Sequence, residues 1–180
     1  EELQNGTVVR TYTFGHDLLL QDQRDGTGTW RATWYGYDGH GSVRFLTDGA
    51  GQITDRYDYD AFGTLLASSG TTDNRYCYCG EQYDSGLGLY YLRARFMNAA
   101  GGRFWSMDSY GAFLWEPNTI HRFLYSNASA VSIVDPSGRT AITDPGSGQT
   151  PVGFLENIID GYLVHRNIGT DFVTEGGQRE

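Results

Sequence analysis

The sequence predicts a mainly β protein, an antiparallel β-hairpin meander with a short helical C-terminal tail. Three observations carry this. An Asp-x-x-Gly mark recurs as Asp25-Gly-Thr-Gly28, Asp38-Gly-His-Gly41, Asp48-Gly-Ala-Gly51 and Asp60-Ala-Phe-Gly63, stepping by 13, 10 and 12 residues. The runs between the marks, such as Thr29-Trp-Arg-Ala-Thr-Trp-Tyr35, are rich in β-branched and aromatic side chains. The 25 glycines and 13 tyrosines suit dense turns and aromatic cross-strand pairs. Asp at the first turn position accepts backbone amide hydrogens ahead of it, and Gly at the fourth takes the positive φ that closes a hairpin. A repeat of this kind builds a wall or scaffold, with any chemistry placed at one end.

Residues 1–66 read as hairpins. Residues 67–139 begin with the loop Ala67-Ser-Ser-Gly-Thr-Thr-Asp-Asn74, continue through a dense aromatic block, and include a helix-like stretch around Asn118-Thr-Ile-His-Arg-Phe-Leu-Tyr125. Residues 140–180 change character. Asp144-Pro-Gly-Ser-Gly148 is a breaker, after which Phe154, Leu155, Ile158, Ile159, Tyr162 and Leu163 recur at helical spacing. At least six antiparallel strands are expected within residues 7–95, leaving edges prone to associate.

Charge narrows the function classes. The chain carries 13 cationic and 22 acidic residues for a net charge of −9, and every cation is an arginine. A general nucleic-acid-binding surface needs a basic patch, so this segment is not expected to hold nucleic acid. Arginine without lysine suits planar or buried pairing inside a sheet. No apolar run reaches the ~20 residues of a membrane span. With no initiator Met and a start in strand-like sequence, the chain reads as part of a longer protein. Cys77-Tyr-Cys79 places both thiols on one face if the segment is a strand, and they are expected to be free. His16, His40, His121 and His165 are scattered, so neither metal nor cofactor is expected. The Gly-rich turns lack the strand–loop–helix context of a phosphate-binding loop.

Longer motifs resemble a known family. Arg56-Tyr-Asp-Tyr-Asp-Ala-Phe-Gly-Thr-Leu-Leu66 and Tyr35-Gly-Tyr-Asp-Gly-His-Gly-Ser-Val-Arg44 resemble the repeat of RHS/YD-repeat proteins. Gly80-Glu-Gln-Tyr-Asp-Ser-Gly-Leu-Gly-Leu-Tyr-Tyr-Leu-Arg-Ala-Arg95, with Gly102-Arg-Phe-Trp-Ser-Met-Asp108, resembles the RHS repeat-associated core. His121-Arg-Phe-Leu-Tyr-Ser-Asn-Ala-Ser-Ala130 and Val134-Asp-Pro-Ser-Gly138 resemble its closing segment. The resemblance spans about residues 8–139 and implies the end of a hollow β shell that encloses a C-terminal effector. In bacterial toxins of this family the core is often an aspartyl autoprotease cutting just after Asp-Pro-x-Gly. The resemblance carries the catalytic roles onto Asp108 and Asp135, with Arg95 in support, and the cleavage region onto Gly138, Arg139 and Thr140. It also implies an exported protein, secreted or on the cell surface. The partners it implies are upstream RHS repeats, an effector, and an immunity protein or cell-surface ligand.

Two carboxylates sharing a proton can hold one ionised as general base and one protonated as general acid. Each residue also has a plain local reading: Asp135 as a turn former, Asp108 as a cap, Arg95 as a sheet-face ion pair. The competing function class is a non-enzymatic adhesion or carbohydrate-binding shell module. Departures from the family pattern bear on cleavage more than on fold. Asn98-Ala99 stands for Asp-Pro, Ser109 follows Asp108 in place of Pro, and Arg139 stands for Leu. Residues 161–172 faintly resemble the opening helix of restriction-endonuclease-type toxin domains, but the tail is too short to supply one.

Overall fold

The computed structural model describes residues 1–109, 120–139 and 141–143. The hairpin marks fold as the sequence predicts. Strands β1 (Glu2–Gln4), β2 (Thr7–Phe14), β3 (Leu18–Arg24), β4 (Trp30–Tyr37), β5 (Val43–Thr47), β6 (Ile53–Tyr59) and β7 (Leu65–Ser69) form one antiparallel sheet in chain order. The four turns share one geometry. Gly28, Gly41, Gly51 and Gly63 sit at φ between +77° and +88°, and each donates its N–H to the carbonyl of the Asp three residues earlier. The same Asp presents Oδ1 to the amides two and four residues ahead: Asp48 accepts from Ala50 and Gln52, each at 2.9 Å. Asp60 accepts from Phe62 at 2.9 Å and Thr64 at 2.8 Å. The extra residue in each turn is the bulge that lets a tight turn follow the twist of the strands.

A second sheet has the order β11 (Arg103–Phe104), β10 (Arg95–Asn98), β9 (Leu89–Leu92), β8 (Gln82–Asp84), and β12 (Ile133–Val134) pairs with β13 (Ile142–Thr143). In the β10–β11 turn Asn98 keeps the capping role of an Asp, its Oδ1 accepting from Gly101 N–H at 3.1 Å. The departure from Asp-Pro therefore preserves the turn.

Between the sheets, residues 70–80 fold back across the first one. Asp55, 1% exposed, accepts Thr72 N–H at 2.9 Å and the hydroxyls of Thr54 and Thr72 at 2.6 Å. Arg10, 3% exposed, pairs with Glu2 at 2.9 Å and Asp73 at 2.5 Å. The lysine-free composition thus serves buried pairing, as read from the sequence. Tyrosine hydroxyls join the sheets: Tyr78 donates to the Ala61 carbonyl at 2.8 Å and Tyr90 to that of Gly63 at 2.9 Å. Their rings pack with Leu92, Met97, Phe104 and Tyr125 into the main core.

Two expectations are corrected. Cys77 and Cys79 are both free, but they do not lie on a strand; they flank and enter a 3-10 turn, Tyr78–Gly80, with Cys79 at φ +51°. The anchor is long-range: Cys77 O accepts Val43 N–H, and Cys77 N–H donates to Glu81 O, both at 3.0 Å. The helix expected around Asn118–Tyr125 lies partly outside the described residues. From His121 onward the chain instead turns and Leu124 bridges Arg103, because Phe104 N–H is paired to the Phe123 carbonyl. The helix expected from Phe154 to Leu163 lies outside the described residues, as does Thr140. β7 is an edge strand of the first sheet, and its Leu65 and Leu66 are 49% and 67% exposed.

Candidate active site

The three residues singled out for catalysis come from three separated segments and meet at one guanidinium. Arg95 opens β10 after the two-residue turn Arg93-Ala94 and is 7% exposed. Its Nη2 lies 2.9 Å from Asp108 Oδ2 and 3.6 Å from Asp135 Oδ2. Its Nε donates to the Gly138 carbonyl, and Nη1 reaches the Arg122 carbonyl at 3.4 Å. The guanidinium carbon stands 3.5 Å over the Phe104 ring, so a cation–π contact covers its other face. Burial pulls the Arg95 pKa down, while Asp108 and Asp135 push it back up.

Asp135 occupies a fifth copy of the Asp-x-x-Gly turn. Gly138 has φ +68° and donates to the Asp135 carbonyl at 3.3 Å. Asp135 Oδ1 accepts from the Ser137 hydroxyl and from Arg139 N–H, both at 3.1 Å. The turn-forming and pairing roles coexist: Oδ1 holds the turn and Oδ2 faces Arg95. Glycine is required at 138 because a Cβ there would fall 2.2 Å from the Leu92 carbonyl oxygen.

Asp108 is fixed through its backbone. Its N–H donates to the Arg122 carbonyl at 2.8 Å, and the Arg122 Nη2 donates to the Asp108 carbonyl. A cavity of about 110 Å³ opens beside it, lined by Arg95, Met107, Asp108, Ser109, Gly138 and Arg139. That volume holds water, and the lining supplies polar partners for it. A larger cavity of about 430 Å³ lies on the first sheet beside Asp55, whose carboxylate already accepts three hydrogen bonds, and shares no lining residue with the smaller one.

Arg93, Glu81 and Pro136 also belong to the site and were not foreseen. Arg93 Nη1 donates to both carboxylate oxygens of Glu81 at 2.8 and 3.0 Å and to the Pro136 carbonyl. The alternation Leu92-Arg-Ala-Arg95 was the available signal, since an arginine within a two-residue turn and one directly after it both lie near its tip. Among the described residues no three His, Cys, Asp or Glu side chains cluster for a metal, and no helix is long and apolar enough to cross a membrane.

No family model matches the chain. It is 36% identical over 135 residues to the tRNA3(Ser)-specific nuclease WapA of Bacillus spizizenii, covering 73% of this chain and 6% of that protein. It is 34% identical over 137 residues to the tRNA nuclease WapA of Bacillus subtilis strain 168, covering 74% of this chain and again 6% of the relative. The chain thus spans a small fraction of the length of the relatives it matches. In fold it is similar to part of the Photorhabdus luminescens Tc holotoxin pore with a TccC3 mutation, at TM-score 0.62, 18% identity, and coverage of 72% of this chain and 6% of that one. The TcdB2–TccC3 structure without its hypervariable C-terminal region gives the same TM-score at 19% identity, with the same coverage of both chains. Ordered motifs, sequence relatives and fold together support placing the chain in the RHS-repeat family.

Proposed function

We propose that this chain is the RHS repeat-associated core of an exported polymorphic toxin, closing a β shell and cutting itself after Gly138 to free a C-terminal effector. On this reading residues 1–66 end the repeat shell and 67–139 form the core region, whose last residue, Arg139, leads the released part that continues through 140–180. The observation that carries the reading is the Arg95 guanidinium, which joins Asp108, Asp135 and the Gly138 carbonyl. The relatives named as tRNA nucleases support the toxin context, with any nuclease activity lying beyond this segment.

The roles follow from position. Asp108 borders the cavity and acts as general base, taking a proton from water. The water oxygen adds to the Gly138 carbonyl carbon, and the developing oxyanion is held by the Arg95 Nε–H that already donates to that oxygen. Arg139 N–H donates to Asp135 Oδ1 at 3.1 Å, which keeps the leaving nitrogen beside this carboxyl. Once water has added and the nitrogen is tetrahedral, its lone pair takes the proton of the Asp135 carboxylic acid as the C–N bond breaks. One water is consumed, leaving a Gly138 carboxyl and an Arg139 amine. One guanidinium balances one ionised carboxylate, which favours leaving the other protonated.

The test is the intact mass of the full-length protein after expression. Two associated fragments, the second beginning at Arg139, and their loss in Asp108→Asn and Asp135→Asn, are expected. A fragment beginning at Thr140 keeps the carboxylate roles but overturns the assignment of the Gly138 carbonyl. One intact wild-type chain overturns the protease reading and leaves the shell module.

A further inference from the structure

Three consecutive carbonyls of the Asp135–Gly138 turn accept hydrogen bonds from three consecutive residues at the tip of the β9–β10 hairpin. The Arg93 side chain donates to the Pro136 carbonyl, Ala94 N–H to the Ser137 carbonyl at 3.3 Å, and the Arg95 side chain to the Gly138 carbonyl. The tip therefore grips the turn one residue at a time, and only the last contact touches the bond that would break. The first contact has its own anchor. Glu81 follows the 3-10 turn, its N–H donating to the Tyr78 carbonyl at 3.0 Å, and both of its carboxylate oxygens hold Arg93. Glu81 is buried while Arg93 is more than half exposed, so the acid is the fixed member of the pair.

We infer that Glu81 and Arg93 are positioning residues for self-cleavage, a clamp that sets the register of the Pro136-Ser137-Gly138 turn against Arg95. The inference rests on the proposed cut after Gly138. Neither residue touches the reacting atoms; their effect runs through the turn backbone. Shifting that turn misplaces the Gly138 carbonyl from the Arg95 Nε, and small displacements of a reacting group cost rate steeply. Glu81 also orders the tip without Arg95, so the clamp and the catalytic guanidinium are separable. All three contacts run through the one nitrogen Nη1, so a cationic nitrogen at that point is what the clamp requires.

The experiment follows release of the C-terminal fragment in the full-length protein, comparing wild type, Arg93→Ala, Arg93→Lys and Glu81→Gln. Arg93→Ala is expected to slow release at least about tenfold and, because it leaves the buried Glu81 carboxylate without this partner, to lower the melting temperature as well. Arg93→Lys is expected to recover part of the rate. Millimolar methylguanidine is expected to restore part of the Arg93→Ala rate and none of the Asp108→Asn rate. Glu81→Gln keeps the shape and loses the charge, and should slow release in the same direction as Arg93→Ala. Wild-type rates in Arg93→Ala and Glu81→Gln, with the wild type itself cleaving, overturn the clamp and leave the dyad standing. Slowing that methylguanidine leaves unchanged, and that a Leu89→Ala variant of matched melting temperature reproduces, also overturns it. If Arg93→Ala does not fold, Glu81→Gln decides alone: slowed release sustains the clamp and a wild-type rate overturns it. A wild type that never cleaves overturns the reading beneath it.

Discussion

Arg95 donates through Nε to the Gly138 carbonyl while its Nη2 lies 2.9 Å from Asp108. A planar head is needed to serve both, since its donors diverge from one rigid centre. Arg95→Lys is therefore expected to abolish cleavage, even though charge is kept. It also leaves a buried carboxylate or carbonyl without its donor, at a cost of about 1–3 kcal/mol. Urea unfolding of the uncut chain, together with the fragment assay, checks both halves.

Asp135 serves the fold through its hydrogen-bond acceptors and the proposed chemistry through its ionisable proton. Its Oδ1 takes the Arg139 amide and Ser137 hydroxyl, the same service that Asp48 and Asp60 give their turns. Asp135→Asn keeps an oxygen acceptor there and should hold most of the stability while ending cleavage. Asp135→Ala loses the acceptor and should cost about 1–2 kcal/mol. Equal destabilisation by both variants would mean the turn depends on charge instead of on the hydrogen bonds.

Gly138→Ala is expected to unfold the junction between the hairpin tip and the closing turn. The backbone there is at φ +68°, and a Cβ would stand 2.2 Å from Leu92 O and 3.1 Å from Arg95 N. Both neighbours are backbone atoms of a hairpin and cannot swing aside. A loss of at least about 2 kcal/mol is expected. The contrast is Gly51→Ala, where nothing lies within 4 Å, so the conformation alone is strained. The difference between the two measured by denaturant titration isolates the clash.

The hairpins were legible because each turn is written in four consecutive residues: Asp60 and Gly63 define their turn without help from the rest of the chain. The second sheet was legible as motif order, and Asp108, Asp135 and Arg95 as a set only through resemblance to a family. The failures share a cause. Cys77 and Cys79 alternate like strand residues, yet Val43 and Glu81 capture the backbone of Cys77 and force a turn. His121–Tyr125 has helical spacing, yet Phe123 and Leu124 are drawn into pairing with Phe104 and Arg103. In both places a distant hydrogen-bonding edge outcompetes local preference. Glu81 was invisible because its partner, Arg93, is 12 residues away and meets it only across the second sheet.

The two thiols should be slow to react in the folded chain. Burial pushes the Cys77 thiol up to about 11 and the Cys79 thiol up to about 12. Only the thiolate attacks an alkylating agent, so at pH 8 both are held almost entirely as unreactive thiol. Iodoacetamide is expected to modify neither at an appreciable rate until denaturant is added, after which both react as ordinary cysteines. Rapid labelling of Cys79 in the native chain would mean the core around Tyr78 and Tyr125 opens readily.

Glu81 gives the chain a dependence on pH that can be assigned to one residue. Burial raises its pKa from 4.5 to about 6, against the pull of Arg93 and with a smaller push from Asp135. A raised carboxyl pKa means the folded state binds the proton more tightly than the unfolded state. Its contribution to stability is fully present below pH 4.5 and is lost as pH rises through about 6. The shift corresponds to roughly 2 kcal/mol. Glu81→Gln removes the titration, so the stability of wild type relative to this variant should fall by about that amount between pH 4 and pH 7. Urea titrations at intervals across that range, done in an Asp108→Asn background to keep the chain uncut, measure the difference directly. A flat difference would place the Glu81 carboxylate in water, and with it remove the rigid anchor on which the Arg93 contact to Pro136 depends.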